Sequence, residues 1–147
     1  MSWWNKLFTG SQDDGRVDYY QEGLELLSES KFHEALTSFR LALKDAPGDP
    51  VVLQQIAIAY TRIGMTEEAA KTYRHVLKSQ PDAPGAHYGL AFLYLRGGQH
   101  TEAVRHLRAF LGNAPTGEEA REHVAHARAT LAELTGEGLA DSGAGGD

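Results

Sequence analysis

The five prolines of this chain stand at positions 47, 50, 81, 84 and 115. Pro47, Pro81 and Pro115 are spaced by 34 residues, and Pro50 and Pro84 by the same 34. Proline fixes φ and lacks a backbone donor, so its return at one period marks where regular structure must begin or end. A fixed step of about 20–50 residues is the signature of stacked units, each buried against its neighbours. At 147 residues, the chain accommodates three such units and two ends.

Other columns keep the step. Small residues recur at Ala35, Ala69 and Ala103, and again at Gly23, Ala57 and Ala91. Large apolar residues recur at Leu26, Tyr60 and Tyr94, at Phe39, Tyr73 and Leu107, and, after Ala42, at Val76 and Phe110. Gly64 and Gly98 coincide, with Ser30 in the equivalent place. Each window, 16–49, 50–83 and 84–117, reads as two helices of about 13 residues. Within 50–83, Val52, Leu53, Ile56, Ala57 and Tyr60 form the apolar face of a first helix, which Gly64 ends in the left-handed conformation. Thr66 is expected to cap a second helix, with Glu67 and Glu68 in its first turn and Ala69, Tyr73, Val76 and Leu77 as its buried stripe. Pro81 stops it. The two small columns are expected to meet inside each hairpin, where only glycine or alanine lets backbones approach.

These columns resemble the tetratricopeptide repeat, a 34-residue helix–turn–helix unit with two small columns and a proline after the second helix. The resemblance covers residues 16–117 and implies an all-α, right-handed superhelix of three hairpins. Glu22 and His87 depart from it, standing where the family prefers a leucine and an aromatic.

Such an array exposes an apolar face at each end and needs caps. Residues 118–135 read as a capping helix with a seam at Ala120, Val124, Ala127, Leu131 and Leu134. Thr116-Gly-Glu-Glu119 matches a capping box at its start, and Gly136 closes it. Residues 136–147 hold five glycines and three acids and read as disordered. Residues 1–15 form an aromatic segment and a polar linker. Trp3, Trp4, Leu7 and Phe8 share one helical face. Burying them yields about 6–12 kcal/mol, while ordering the backbone costs about 8–16 kcal/mol, so the segment needs a surface to dock on. That surface is this chain's own first repeat or groove, a partner protein, or a membrane interface, which suits tryptophan.

The resemblance implies that the first helices of successive repeats line a concave face. That face holds Val17, Tyr20, Leu24 and Leu27, then Gln54, Ile58, Thr61 and Arg62, then Tyr88, Phe92, Leu95 and Arg96. Leu24, Ile58 and Phe92 stack in one column. An uncovered apolar stripe of this kind is expected to accept an apolar or amphipathic segment, helical or extended, while Arg62 and Arg96 offer charges for a ligand carboxylate. Relatives that hold chaperone C-termini use lysine and asparagine at these columns. Tyr20, Leu24, Ile58, Tyr88 and Phe92 make no such carboxylate clamp.

Composition narrows the remaining classes. With no cysteine, disulfides, thiol catalysis and cysteine-ligated metals are excluded. No apolar run approaches the roughly 18–20 residues of a membrane span, and MSWWNKLF lacks the apolar core of a cleavable signal, so a cytoplasmic location is expected, with peripheral contact at the inner face of a membrane as the variant reading. A net charge of −6 argues against nucleic acid. The second and third repeats are nevertheless net positive, at +1 and +2. His123 and His126, with Glu119 and Glu122 one turn before them, are a weak metal-ligand pattern on the capping helix. His75, His100 and His106 read as surface residues of second helices. His33-Glu34 lacks the second histidine of a zinc-protease helix, and the GAGG of the tail lacks the lysine of a phosphate loop. No cofactor and no enzymatic chemistry are expected. The reading is a protein-binding adaptor, with membrane-surface assembly through residues 1–8 and histidine-based metal binding as alternatives.

Overall fold

The computed structural model describes residues 17–136. Seven helices make up their regular structure: α1 (Tyr19–Ser28), α2 (Phe32–Leu43), α3 (Pro50–Ile63), α4 (Thr66–Ser79), α5 (Pro84–Arg96), α6 (His100–Gly112) and α7 (Glu118–Thr135). The closest packing is within the pairs α1–α2, α3–α4 and α5–α6; successive pairs then stack, and α7 lies on α6. This is an all-α helical-repeat solenoid.

One turn, made three times, joins each pair. Ser30, Gly64 and Gly98 have φ of 62°, 96° and 77°, all left-handed. The amides of Ser30, Gly64 and Gly98 donate to the carbonyls of Leu27, Thr61 and Leu95 at 3.0–3.1 Å. One residue on, Lys31, Met65 and Gln99 donate to Leu26, Tyr60 and Tyr94 at 2.8–2.9 Å. Both bonds of the Schellman motif are thus present in every hairpin, satisfying carbonyls that a helix end leaves open.

This turn explains why Thr66 is not the cap expected from the sequence. Only Met65 separates the glycine from α4, so it closes one helix and is also the N-cap of the next, without a side-chain bond. Lys31 and Gln99 do the same. The expected capping box at Thr116 also fails by one position. Gly117, at φ 108°, is the N-cap, and no side chain bonds there. Between α2 and α3 a side-chain cap does form, because the N-cap residue carries an acceptor: Asp49 accepts from the Val51 amide at 2.9 Å, with Pro50 opening α3.

The small columns lie in the core. Ala35, Ala57, Ala69 and Ala103 are fully buried and Ala91 nearly so. At Gly23 a Cβ would stand 2.4 Å from the Phe39 ring, so this first-repeat position has to be glycine for the phenyl to pack against α1. One core runs from Ala35 through Val76 to Leu93. A second gathers Ala91, Leu107, Phe110 and Ala127, with Val124, Leu131 and Leu134 of α7 packed on it. The seam expected on the capping helix is the face α7 turns to α6.

Both departures from the repeat pattern find polar partners. Glu22 accepts from the buried Ser38 hydroxyl at 3.1 Å. His87 and His106 are both buried, with their Nδ1 atoms 3.0 Å apart. His106 was expected on the surface; burial follows because it meets His87 across the α5–α6 contact. His87 Nε2 lies 2.7 Å from the Pro81 carbonyl, which can only accept, so Nε2 carries the proton. With that single proton on His87, its Nδ1 accepts from the Nδ1–H of His106. Tyr94 stacks on the outer face of His106 at 5.5 Å. Burial, then His87 and Arg105, lower the His106 pKa to about 4.

Candidate functional site

On the concave side, α3, α4, α5 and α7 enclose an open groove of about 440 Å³. Its shape originates in α5. Gly89 faces α4 so closely that a Cβ there would stand 2.3 Å from Tyr73. The absent side chain lets the Tyr73 ring lie against the α5 backbone and form the floor. Burial pushes the Tyr73 phenol up to about 12, partly offset by a hydrogen bond with Thr61, so it stays neutral and contributes as an aromatic surface. One turn earlier, Gly85 leaves room for the Gln54 side-chain oxygen.

Tyr88 and Phe92 form one wall. Their rings are 4.8 Å apart, and Tyr88 also meets Phe110 at 5.1 Å. The capping helix adds His123, edge-on to Tyr88 at 5.0 Å, and His126, stacked on Phe92 at 4.7 Å. Tyr88 and Phe92 remain half-buried despite these contacts, and burial raises the Tyr88 pKa. Ile58 and Thr61 form the opposite side, with exposed Arg96 at one end. The cavity is therefore mostly apolar and aromatic, with polar groups at its edge, the usual composition of a ligand site.

Of the residues expected on the concave face, the structure brings Ile58, Thr61, Tyr88, Phe92 and Arg96 into this groove, with Gln54 at its edge over Gly85. Tyr20, Leu24 and Leu27 are half-buried against the first core, and Tyr20 meets Phe39 at 5.9 Å. Leu95 is half-buried beside the groove without lining it. Arg62 does not join Arg96: its guanidinium lies 4.8 Å over the Phe32 ring. Trp3, Trp4, Leu7 and Phe8 lie outside the described residues, as does the tail from residue 137 onward.

Four contributors were missed by the sequence reading. Tyr73 was assigned wholly to the core, because its column is core in the other hairpins. Gly89 carried a usable signal, since a lone glycine inside a helix often marks a close approach. His123 and His126 were read as a weak metal pattern but instead cover Tyr88 and Phe92. Among the described residues, no three His, Asp or Glu side chains converge on a metal position. No helix among them is long and apolar enough to cross a membrane.

Residues 55–118 match the sequence profile of the tetratricopeptide repeat family. No curated protein matches the chain. Solved structures do match in fold. PcrH, from Pseudomonas aeruginosa, in complex with the chaperone-binding region of PopD is 18% identical, covering 87% of this chain and 96% of that one, with a TM-score of 0.75. The Yersinia enterocolitica type III secretion chaperone SycD with a peptide of the translocator YopD is 15% identical, covering 81% and 91%, also at 0.75. The first repeat domain of Spaghetti (RPAP3), bound to the HSP90 peptide SRMEEVD, is 18% identical, covering 78% and 90%, at 0.66.

Proposed function

We propose that this chain, whose residues 55–118 match the tetratricopeptide repeat family, is an adaptor or chaperone-like module that binds an apolar or amphipathic segment of a partner protein in its concave groove. The observation that carries this reading is the pair Tyr88 and Phe92, held rigid by Phe110, His123 and His126 yet open to a 440 Å³ space. Aromatic anchors fixed by their neighbours lose little entropy when a ligand arrives. One apolar ligand side chain entering the groove contributes about 1.5–3 kcal/mol. Arg96, exposed at the edge, gives a carboxylate on the ligand somewhere to pair. The likeness to PcrH and SycD, whose structures contain segments of PopD and YopD, supports a binding role.

A peptide library displayed against the immobilised full chain tests the reading. Selected peptides are expected to carry apolar residues at helical or alternating spacing. Phe92→Glu should weaken their binding at least about tenfold while leaving the helical circular dichroism intact. Equal retention by folded Phe92→Glu would place the binding face elsewhere.

A further inference from the structure

The convex side carries a second cleft, of about 530 Å³, between α2 and α4. Its floor is Leu53, Ile56 and Tyr60 of α3, and its walls carry Arg40, Lys71, Arg74, His75 and Lys78. Four permanent cations around an apolar floor, with no acidic residue in the lining, are out of keeping with a chain of net charge −6. Nor are these cations neutralised by neighbours. Among the described residues, ion pairs join Lys31 to Glu29, Arg105 to Glu102 and Arg121 to Glu118, and none involves a cation of the cleft. Glu67 and Glu68 lie one turn before Lys71 without pairing to it.

Two of the cations are held in place. The Arg40 guanidinium donates to the Tyr60 hydroxyl and lies over that ring at 5.7 Å. Arg74 donates to the Tyr94 hydroxyl at 2.9 Å. Each arginine reaches 20 residues ahead, to the first helix of the next hairpin, so the repeat itself fixes the two positions. A guanidinium has five N–H donors, and one bond to a phenol leaves the rest for a ligand carboxylate. Lys71 and Lys78 are exposed and seven residues apart, on one face of α4 two turns from each other.

We propose that this cleft binds an acidic peptide segment of a partner protein, with an apolar side chain seated on Leu53, Ile56 and Tyr60 and flanking carboxylates meeting Arg40, Lys71, Arg74 and Lys78. The recessed apolar floor favours a peptide over a lipid surface, which reaches rim cations but does not fill a cleft. It also favours a peptide over a bare phosphate, for which an apolar floor offers nothing. This site is independent of the concave groove.

A fluorescein-labelled heptapeptide, Gly-Glu-Asp-Leu-Glu-Asp-Gly, titrated with the full chain in an anisotropy assay is the test, beside the same peptide with Gln and Asn for its acids. The acidic peptide should bind, weaken as salt rises, and lose at least about tenfold in affinity with Lys71→Glu/Lys78→Glu. Phe92→Glu should leave its affinity unchanged, as should Glu137→Gln/Asp141→Asn in the tail. Equal binding of the neutral peptide, or no loss in the lysine variant, overturns the proposal. So does a tenfold gain on neutralising the tail, which would make the tail the occupant. Lysine-dependent binding to phosphatidylserine vesicles without peptide binding would assign the cleft to a membrane instead.

Discussion

Two inter-repeat spaces on the convex side are related by the 34-residue step, and they have opposite contents. Between α2 and α4 the space is open, with Leu53 in its floor and Thr72 in its wall. Between α4 and α6 those columns hold His87 and His106, whose buried rings bond to each other across the helix contact. Lys78 of the first space has Gly112 as its counterpart in the second. The repeat turn and the small columns set the spacing of the helices, while two side chains decide whether a given space is an open cleft or a polar plug.

Converting the plug toward the open form breaks the comparison most severely. His106→Thr leaves His87 Nδ1 buried without its partner and should cost about 1–3 kcal/mol in chemical denaturation. His87→Leu/His106→Thr restores the residues of the preceding repeat and should cost less than the two single changes together. An additive double variant would mean that the rings are not energetically coupled.

The plug should also make the third hairpin sensitive to acid. His106 is neutral in the folded chain down to a pH of about 4, whereas its ordinary value is 6.5. The unfolded chain therefore binds more protons between these values, and stability falls as pH drops from 6.5 toward 4. Thermal melts over that window should show the fall, and it should shrink in His87→Leu/His106→Thr. An unchanged slope in the double variant would assign the acid sensitivity to other groups.

The frame common to both spaces is open to smaller perturbations. Gly64→Ala forces a Cβ into a left-handed position and should cost about 1–2 kcal/mol. Ser30 already occupies the equivalent position at φ 62°. Ser30→Gly should therefore stabilise the first turn by about 0.5–1 kcal/mol. Denaturation midpoints moving in the same direction for both variants would contradict the equivalence of the turns.

The period of the prolines, the small columns and Gly64 were enough to read the hairpins, because backbone geometry admits few residue types at those positions. The capping seam on α7 was legible for the same reason. Thr66 misled because, with one residue between the helices, Met65 had to serve both, and Thr116 misled because α7 begins one residue later, with Gly117 as its N-cap. His106 misled because a polar residue on a second helix reads as exposed until a partner such as His87 is found 19 residues away. In the groove, Ile58, Tyr88 and Phe92 were legible from their columns. Tyr73 and His123 were not, since they enter from a second helix and from the cap, outside the column that suggested the face.

The central claim is that the concave aromatic groove is the binding face, and amide hydrogen exchange of the full chain with a display-selected peptide tests it most directly. Added protection should concentrate in α5 around Tyr88 and Phe92 and at the start of α7 around Ala120 and His123. Protection confined to α2 and α4, with α5 and α7 unchanged, would contradict it.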